Sequence, residues 1–574
     1  MSEAKGSRSA AWVALLVALV MNLSNLFEPL AVDDVCHQYY AEQVARDPLR
    51  PFEFDVVWHQ KPVRAWDVMV APVNSYYWAP AMLLFGGAEG GSPIGWKAWY
   101  LPVQFLFCWS LLLLLRRVAP VHAHWLLPML ALGPAVLPGV NLMLEVPMLS
   151  LAFSGLVLLL RAGDRRSFGT AVLAGVLWGL AFQTKYSAMG FFGPWLLVAV
   201  LRGCWREFAV GFAAAAATAL GIEGLVALSH GGGSYFMRQL ERTQIRDWGH
   251  NVRGMFLHVG MLGAPAAYLG ACALRAPRAL RALSALAFLA ALVVVASVPD
   301  ADERSLADGA PDSIAYLVVA TATWATIAWV VLVLLGRFVR HQRTCAARGV
   351  GRWRPSTLWG FGLACWIPGE VASSFVVSPF PAARRSMLVV LAFTFAVGWL
   401  AARRRRLAGD VRLVAVASVL LGLGYQGIDL LEGRAVTSVA RDAVAAVRAR
   451  DPNATIYFSG GWAFEFYAKR AGMQPFLHGV VEAKVGDYVV LGSIDGIEKP
   501  WFDMKSPSWT ARVELVATID GVDCVPLSTQ FHYYSGRRPL DGQVGPRFVA
   551  RVFRVRTPFH VRELPPVLDP WLPG

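Results

Sequence analysis

The chain has 574 residues, of which 56% are hydrophobic and 16% charged, with a formal net charge of +14 and a mean hydropathy of +0.46. Its apolar residues gather in runs long enough to cross a bilayer, which excludes a soluble multi-domain protein. Its arginines cluster between those runs, as in the cytoplasmic loops of membrane proteins, so the basic balance does not indicate a nucleic-acid partner.

Taken in chain order, the apolar runs predict about thirteen membrane helices, near 11–30, 97–117, 121–139, 146–161, 169–184, 187–202, 207–228, 255–274, 279–298, 313–336, 357–376, 386–401 and 411–430. The first run extends beyond a signal-peptide core and lacks an A-x-A cleavage site, so it reads as an uncleaved helix. With the N-terminus in the cytoplasm, Arg116–Arg117, Arg161 to Arg166, Arg202 and Arg206, Arg275 to Arg281, the 337–354 loop and Arg403 to Arg406 all fall inside. That repeated agreement with the positive-inside rule sets the orientation. Residues 1–431 then form a multi-pass membrane unit with an outer first loop, 31–96.

Residues 432–574 change character. AVTSVARDAVAAVRAR reads as an amphipathic helix, and ATIYFSGGW, VGDYVVLGS, ARVELVATI and RFVARVFRV alternate as strands do. The expected fold class is therefore an α-helical polytopic membrane protein with a small α/β extracytoplasmic C-terminal domain. The Gly460–Gly461 turn lacks G-x-G-x-x-G and reads as a plain turn. The seven cysteines show no CxxC, and only Cys36 and Cys524 are placed outside, where a disulfide between them is open.

Charged and aromatic residues gather at the outer turns. In AVDDVCHQYYA, a helix over 33–46 puts Asp33, His37 and Tyr40 on one face at i, i+4 and i+7, just outside the membrane. Asp33 or Asp34 can alternatively be a simple helix cap. MVAPVNSYYWAPAMLLFG, residues 69–86, is too short and Pro-rich to span, and reads as an interfacial helix carrying Tyr76, Tyr77 and Trp78. LMLEVPMLS places Glu145 at an outer turn, AFQTKYSAMGFFGP places Lys185 and Tyr186 at the next, and SPFPAARRSM brings Arg384 and Arg385 to a third, against the positive-inside bias. Carboxylates and cations on one face can together deprotonate a hydroxyl nucleophile and hold a departing phosphate. Glu223 and Glu370 lie within apolar runs, where a carboxylate is either functional or satisfied by a neighbouring helix.

These segments resemble the GT-C membrane glycosyltransferases, specifically the bacterial family-39-like group related to protein O-mannosyltransferases and aminoarabinose transferases. The resemblance rests on DDVCHQYYA with the continuation DPLRPFEFDVVW, on APVNSYYWAP, LMLEVPM, GLAFQTKYS and SPFPAARRS, and on YFSGGWAFEFYAKRAG in the tail. It covers residues 11–200 well and 370–480 more thinly. It departs from the family pattern at Asp34, where Glu is usual, at Glu145, where Asp is usual, and at Arg385, where Tyr is usual.

The resemblance implies a polyprenyl-phosphate-linked sugar donor, whether hexose or pentose, and an inverting transfer to an envelope lipid, glycan or protein acceptor at the outer face of the membrane. Asp33 is then the general base, with Asp34 and Glu145 as further catalytic candidates. Lys185, Tyr186, Arg384 and Arg385 are candidates for the donor phosphate, and His37, Tyr40, Asn74 and Tyr77 for positioning substrates. Asp33, His37 and Glu145 are the candidates for a divalent metal, which some relatives bind and others do not. The competing class is a lipid or polysaccharide transporter, but the sequence shows no repeated halves with matching broken helices. The Ala- and Arg-rich composition points to a bacterial plasma (inner) membrane.

Overall fold

The computed structural model describes residues 2–31, 33–58, 61–87, 90–231, 233–242, 248–297, 311–347, 355–377, 382–460, 462–477, 481–493, 504, 506–521, 527–528, 541–542, 548–560 and 564. Most of the expected loop 299–312, residues 348–354 of the arginine-rich loop, residues 378–381, Gly461 and Cys524 lie outside them.

Each expected apolar run lies on helix. Among the described residues, seven helices are long and apolar enough to cross a membrane, or eight if Asn251–Leu262 and Ala264–Leu274 form one broken span. The expectation of thirteen separate spans is thus not reproduced as thirteen straight helices. The 255–274 run bends by 67° at Gly263, where Pro265 opens the second helix; a proline has no N–H to give and its ring collides with the preceding turn. The 121–139 run forms only the nine-residue helix Ala123–Ala131 and a 3-10 turn at Leu137–Gly139. Pro134 and Pro138 interrupt the backbone ladder there.

Small residues set the closest helix contacts. A Cβ on Gly175 would meet the carbonyl of Gly211, and one on Gly179 would stand 2.7 Å from the carbonyl of Ala215. Helices Phe168–Phe182 and Trp205–Ser229 therefore touch backbone to backbone. In lipid this dispersion contact takes the place that the hydrophobic effect has in water.

The last membrane helix does not stop where the sequence suggests a domain boundary. Ala408–Arg448 is one 41-residue helix, so the division at 431/432 falls inside it. Val436, Val439, Ala440, Ala443 and Val447 on its distal half pack against the C-terminal domain. That domain is built on a five-stranded sheet ordered Gln474–Pro475, Ile456–Ser459, Tyr488–Ser493, Phe548–Val555, Val513–Gly521. The first three strands run parallel and the last two are added antiparallel. Phe548, Ala550 and Val552 alternate into the helix-covered face. The strands read from the alternating segments are all present.

The domain sits at the Asp33 end of the bundle. On its helix Trp462–Arg470, the Tyr467 hydroxyl accepts from the Leu30 amide at 2.7 Å, Lys469 donates to the Tyr39 hydroxyl at 3.1 Å, and Arg470 donates to the Gly91 carbonyl at 3.1 Å. The opposite end holds ion pairs of Asp164 with Arg117 (2.7 Å) and Arg202 (3.3 Å). The helix Glu145–Arg165 joins the two ends.

Gly175→Leu is expected to separate its two helices and to destabilise the protein by about 1–3 kcal/mol, read as a lower melting temperature in detergent. Gly221→Leu on the same helix pair is the control, because a side chain at Gly221 meets nothing within 4 Å.

Candidate active site

Four charged side chains meet at this end, each delivered by a different part of the chain. Asp33 directly precedes helix Asp34–Arg46, Glu145 is the first residue of helix Glu145–Arg165, Lys185 lies between helix Phe168–Phe182 and a 3-10 turn, and Arg384 is in the first turn of helix Ala383–Ala401. Arg384 Nη2 is 3.3 Å from Asp33 Oδ2, and its Nε is 3.8 Å from Glu145 Oε1. Lys185 Nζ pairs with the same Glu145 oxygen. Two carboxylates and two cations form one run, Asp33–Arg384–Glu145–Lys185. Glu145 at a helix N-terminus is favoured by the helix dipole.

Asp33 stands at the N-cap position of its helix, but its carboxylate makes no capping bond. Its Oδ1, like Glu145 Oε2, is buried without a hydrogen-bond partner among the described residues. One turn along, His37 is 5% exposed with its Nδ1 likewise buried and unpartnered. Burial holds the imidazole down to about 4 against the pull of Asp33, with Arg384 adding to the lowering. His37 is therefore neutral at physiological pH.

Asp34 does not join this group. It is fully buried, and its two oxygens accept from the Ala31 amide at 2.8 Å and the Leu142 amide at 3.0 Å. Burial raises its pKa to about 7, while nearby Lys97 opposes that. The carboxylate expected to be catalytic is instead a bracket between the first loop and the turn before Glu145.

Other expected residues are also used structurally. The Tyr186 hydroxyl donates to Glu223 Oε1 at 2.8 Å. Glu223 also accepts from Gln183 at 3.1 Å and from the Phe236 amide at 3.2 Å, at the start of helix Tyr235–Arg242. The half-buried Glu223 thus satisfies neighbouring elements, and Tyr186 is committed to it. Tyr40 packs on Phe52 and Phe54 and donates to the Val70 carbonyl at 3.3 Å, so the helical face it shares with Asp33 does not bring it into the charged run. Asn74 accepts from Tyr100 at 3.4 Å and Tyr77 donates to the Trp99 carbonyl at 2.7 Å. Both hold helix Val73–Phe85, which is 13 residues long as its interfacial reading requires. Arg385 lines a small cavity with Asn251, Ser374 and Ser386. Glu370 accepts from Trp366 at 2.7 Å.

The metal candidates do not converge. Among the described residues no three His, Cys, Asp or Glu side chains are grouped to hold an ion, and Asp33 and Glu145 both face Arg384 instead.

Sequence reasoning missed two features. Lys97, fully buried, donates to the Asn25 carbonyl at 3.2 Å, to Asn25 Oδ1 at 3.1 Å and to the Glu28 carbonyl at 2.5 Å. Its signal was a lone lysine opening an apolar run, easily taken for a snorkelling residue. The second is an apolar groove of about 1060 Å³ between Phe182, Gly190 and Leu196 on one side and Phe338, Phe361 and Gly369 on the other. Phe182 and Gly190, which line the groove, stand on either side of Lys185 in the chain, and Lys185 itself is not part of the lining. A concavity formed by helices distant in sequence leaves no local pattern.

No family model matches the sequence, and no curated protein matches it. Among solved structures, the chain is similar to ArnT from Cupriavidus metallidurans bound to undecaprenyl phosphate, at 16% identity and a TM-score of 0.38 over 83% of this chain and 92% of that one. It is also similar to the Archaeoglobus fulgidus oligosaccharyltransferase in complex with Zn and sulfate (13% identity, TM-score 0.44, 84% and 67% covered). A third similar structure is AglB from the same archaeon, with an inhibitory peptide and a dolichol-phosphate (13% identity, TM-score 0.42, 85% and 69% covered).

His37 supplies a pH test. Its folded value of about 4 lies below the ordinary 6.5, so its burial contributes stability that is complete above pH 6.5 and is lost as pH falls to about 4. The loss amounts to about 3 kcal/mol. His37→Gln is expected to flatten that part of the melting-temperature profile relative to wild type while leaving it parallel above pH 7.

Proposed function

We propose that this protein is a membrane glycosyltransferase of the GT-C type that moves a sugar from a polyprenyl-phosphate donor to an acceptor hydroxyl. The observation that carries the proposal is the buried run Asp33–Arg384–Glu145–Lys185, with an apolar groove lined by Phe182 and Gly190 on either side of Lys185 in the chain. The groove follows helix Pro355–Val377 from Leu358 to Ser373, about 22 Å at 1.5 Å per residue. That length suits an extended isoprenoid tail, and a tail lying there brings its phosphate to Lys185 and Arg384. Undecaprenyl phosphate and dolichol-phosphate, recorded with the similar structures, are lipids of this kind.

In the proposed reaction Asp33 takes the proton from the acceptor hydroxyl. The hydroxyl oxygen forms the new bond to the anomeric carbon from the face opposite the phosphate, which inverts that centre. The bond from the anomeric carbon to the phosphate oxygen breaks, and its electron pair leaves with the phosphate. Arg384 and Lys185 stabilise the negative charge that develops there. Glu145 keeps both cations aimed at the site, and neutral His37 supplies a hydrogen-bonding group beside the base. On this reading, with the arginine clusters on the inner side, the N-terminus lies in the cytoplasm, the C-terminal domain outside the plasma membrane, and envelope material is the acceptor.

Asp33→Asn is expected to lower transfer from a radiolabelled polyprenyl-phosphate sugar by 10²- to 10⁴-fold, with membrane insertion and melting temperature close to wild type. Equal transfer by the two proteins would remove Asp33 as the base. Lys185→Met tests the other half of the site: its defect is expected in release of the phosphate, and to be shared by every acceptor tried.

A further inference from the structure

The first-loop helix and the C-terminal domain line a half-open second cavity, about 180 Å³ in volume, apart from the charged run. Helix Asp34–Arg46 gives it Tyr39, Glu42, Gln43 and Arg46, which are spaced i, i+3, i+4 and i+7 and so form one stripe. Helix Trp462–Arg470 gives Glu465 and Lys469, one turn apart, and the first-loop strand Asp55–Trp58 with the residue before it closes the third side with Phe54 and Asp55. The walls are held apart by fixed contacts. Tyr467 and Arg470 pin the domain helix to Leu30 and Gly91, and Lys469 bonds both Glu465, at 2.5 Å, and Tyr39, at 3.1 Å. A seam serving only to join two elements would close to the packing density of an interior; this one stays hollow.

We propose that this cavity binds a neutral carbohydrate ring belonging to the acceptor. Its chemistry selects that class. Arg46 and Lys469, paired with Glu42 and Glu465, and Gln43, which donates to the Arg50 carbonyl, have further N–H groups to donate, the carboxylates of Glu42, Asp55 and Glu465 have further lone pairs to accept, and Tyr39 and Phe54 offer apolar ring surface. Two cations against three carboxylates nearly cancel, which favours neither a phosphate nor a polycation. Neighbouring hydroxyls of alternating donor and acceptor character, on a ring with apolar C–H faces, match such a lining. The volume falls below the roughly 300–1,000 Å³ of a drug-sized site and suits a single ring.

The place of the cavity gives the binding a use. Along helix Asp34–Arg46 the stretch from Asp33 to Glu42 and Gln43 is about 14 Å, so one ring cannot touch both. The cavity holds a ring remote from the reacting hydroxyl, and remote binding of this kind aligns a long acceptor on the base. The acceptor role rests on the proposed function, whereas carbohydrate binding does not, and the test is therefore made without donor.

Purified full-length protein in nanodiscs is titrated with neutral trisaccharides of glucose, mannose and galactose, and with spermidine, by saturation-transfer NMR, and with inorganic phosphate by phosphorus-31 line broadening. At least one trisaccharide is expected to bind, with affinity lowered at least tenfold by Gln43→Trp, which fills the cavity, and by Glu465→Gln, which alters its wall. Gln474→Trp, on the exposed edge of the domain sheet, controls for a surface tryptophan, and unchanged melting temperatures confirm folding. Binding by no trisaccharide, undiminished binding in folded Gln43→Trp, or binding of spermidine or phosphate alone would overturn the proposal. Loss of transfer with Asp33→Asn bears on the base and leaves this result untouched.

Discussion

The charged run depends on the carboxylate of Asp34. One oxygen takes the Ala31 amide and the other the Leu142 amide, so a single side chain fastens the turn that carries Asp33 to the turn that carries Glu145. Those residues are more than a hundred positions apart in sequence, and neither could be set against Arg384 without the fastening. A buried carboxylate is costly unless its acceptor capacity is used. Here both oxygens are used, and Lys97 lies near enough to offset part of the charge. Lys97 in turn holds the end of the first helix through Asn25 and Glu28. The geometry of the four-residue run is thus inherited from a polar bracket beneath it.

The run itself balances attraction against burial. Arg384 and Lys185 are 10% and 23% exposed at the side chain, Asp33 and Glu145 17% and 4%. Charges this sheltered interact more strongly than they would in water, and a group left without its partner is expensive. Each cation therefore has a reason to stay where it is before any ligand arrives, which is the preorganisation that electrostatic catalysis requires.

Much of this was legible in the sequence, and for identifiable reasons. Apolar runs declared the helices because hydrocarbon tolerates nothing else, and alternating segments declared the strands because a half-buried sheet has period two. Asp33, Glu145, Lys185 and Arg384 stood out as charges at the ends of apolar runs, and they do meet. What failed was the assignment of neighbours. Asp34, Tyr186, Tyr40, Asn74 and Tyr77 carry the right chemistry in the right segments, yet each is occupied by a backbone or side-chain partner that only the fold brings near. The double aspartate shows the limit most plainly: two identical side chains in adjacent positions, one aimed at the charged run and the other into the bracket, distinguished by helix rotation alone. The groove and the second cavity were invisible because their walls come from helices far apart in the chain, and the break at Gly263 was hidden inside a run of unbroken hydropathy.

The 41-residue helix Ala408–Arg448 is about 60 Å long at 1.5 Å per residue, twice the thickness of the hydrocarbon it crosses. It is at once a membrane helix and the central strut of the C-terminal domain, with no joint between the two. Its first half packs in the helix bundle and its second half on the domain sheet, so a change in tilt within the lipid becomes a displacement of the domain. Bilayers of different thickness impose different tilts on a helix of fixed apolar length. Because Tyr467 and Arg470 tie the domain to Leu30 and Gly91, such a tilt would carry the domain and the Asp33 turn together, and the lipid would act as a mechanical setting of the protein as well as its solvent.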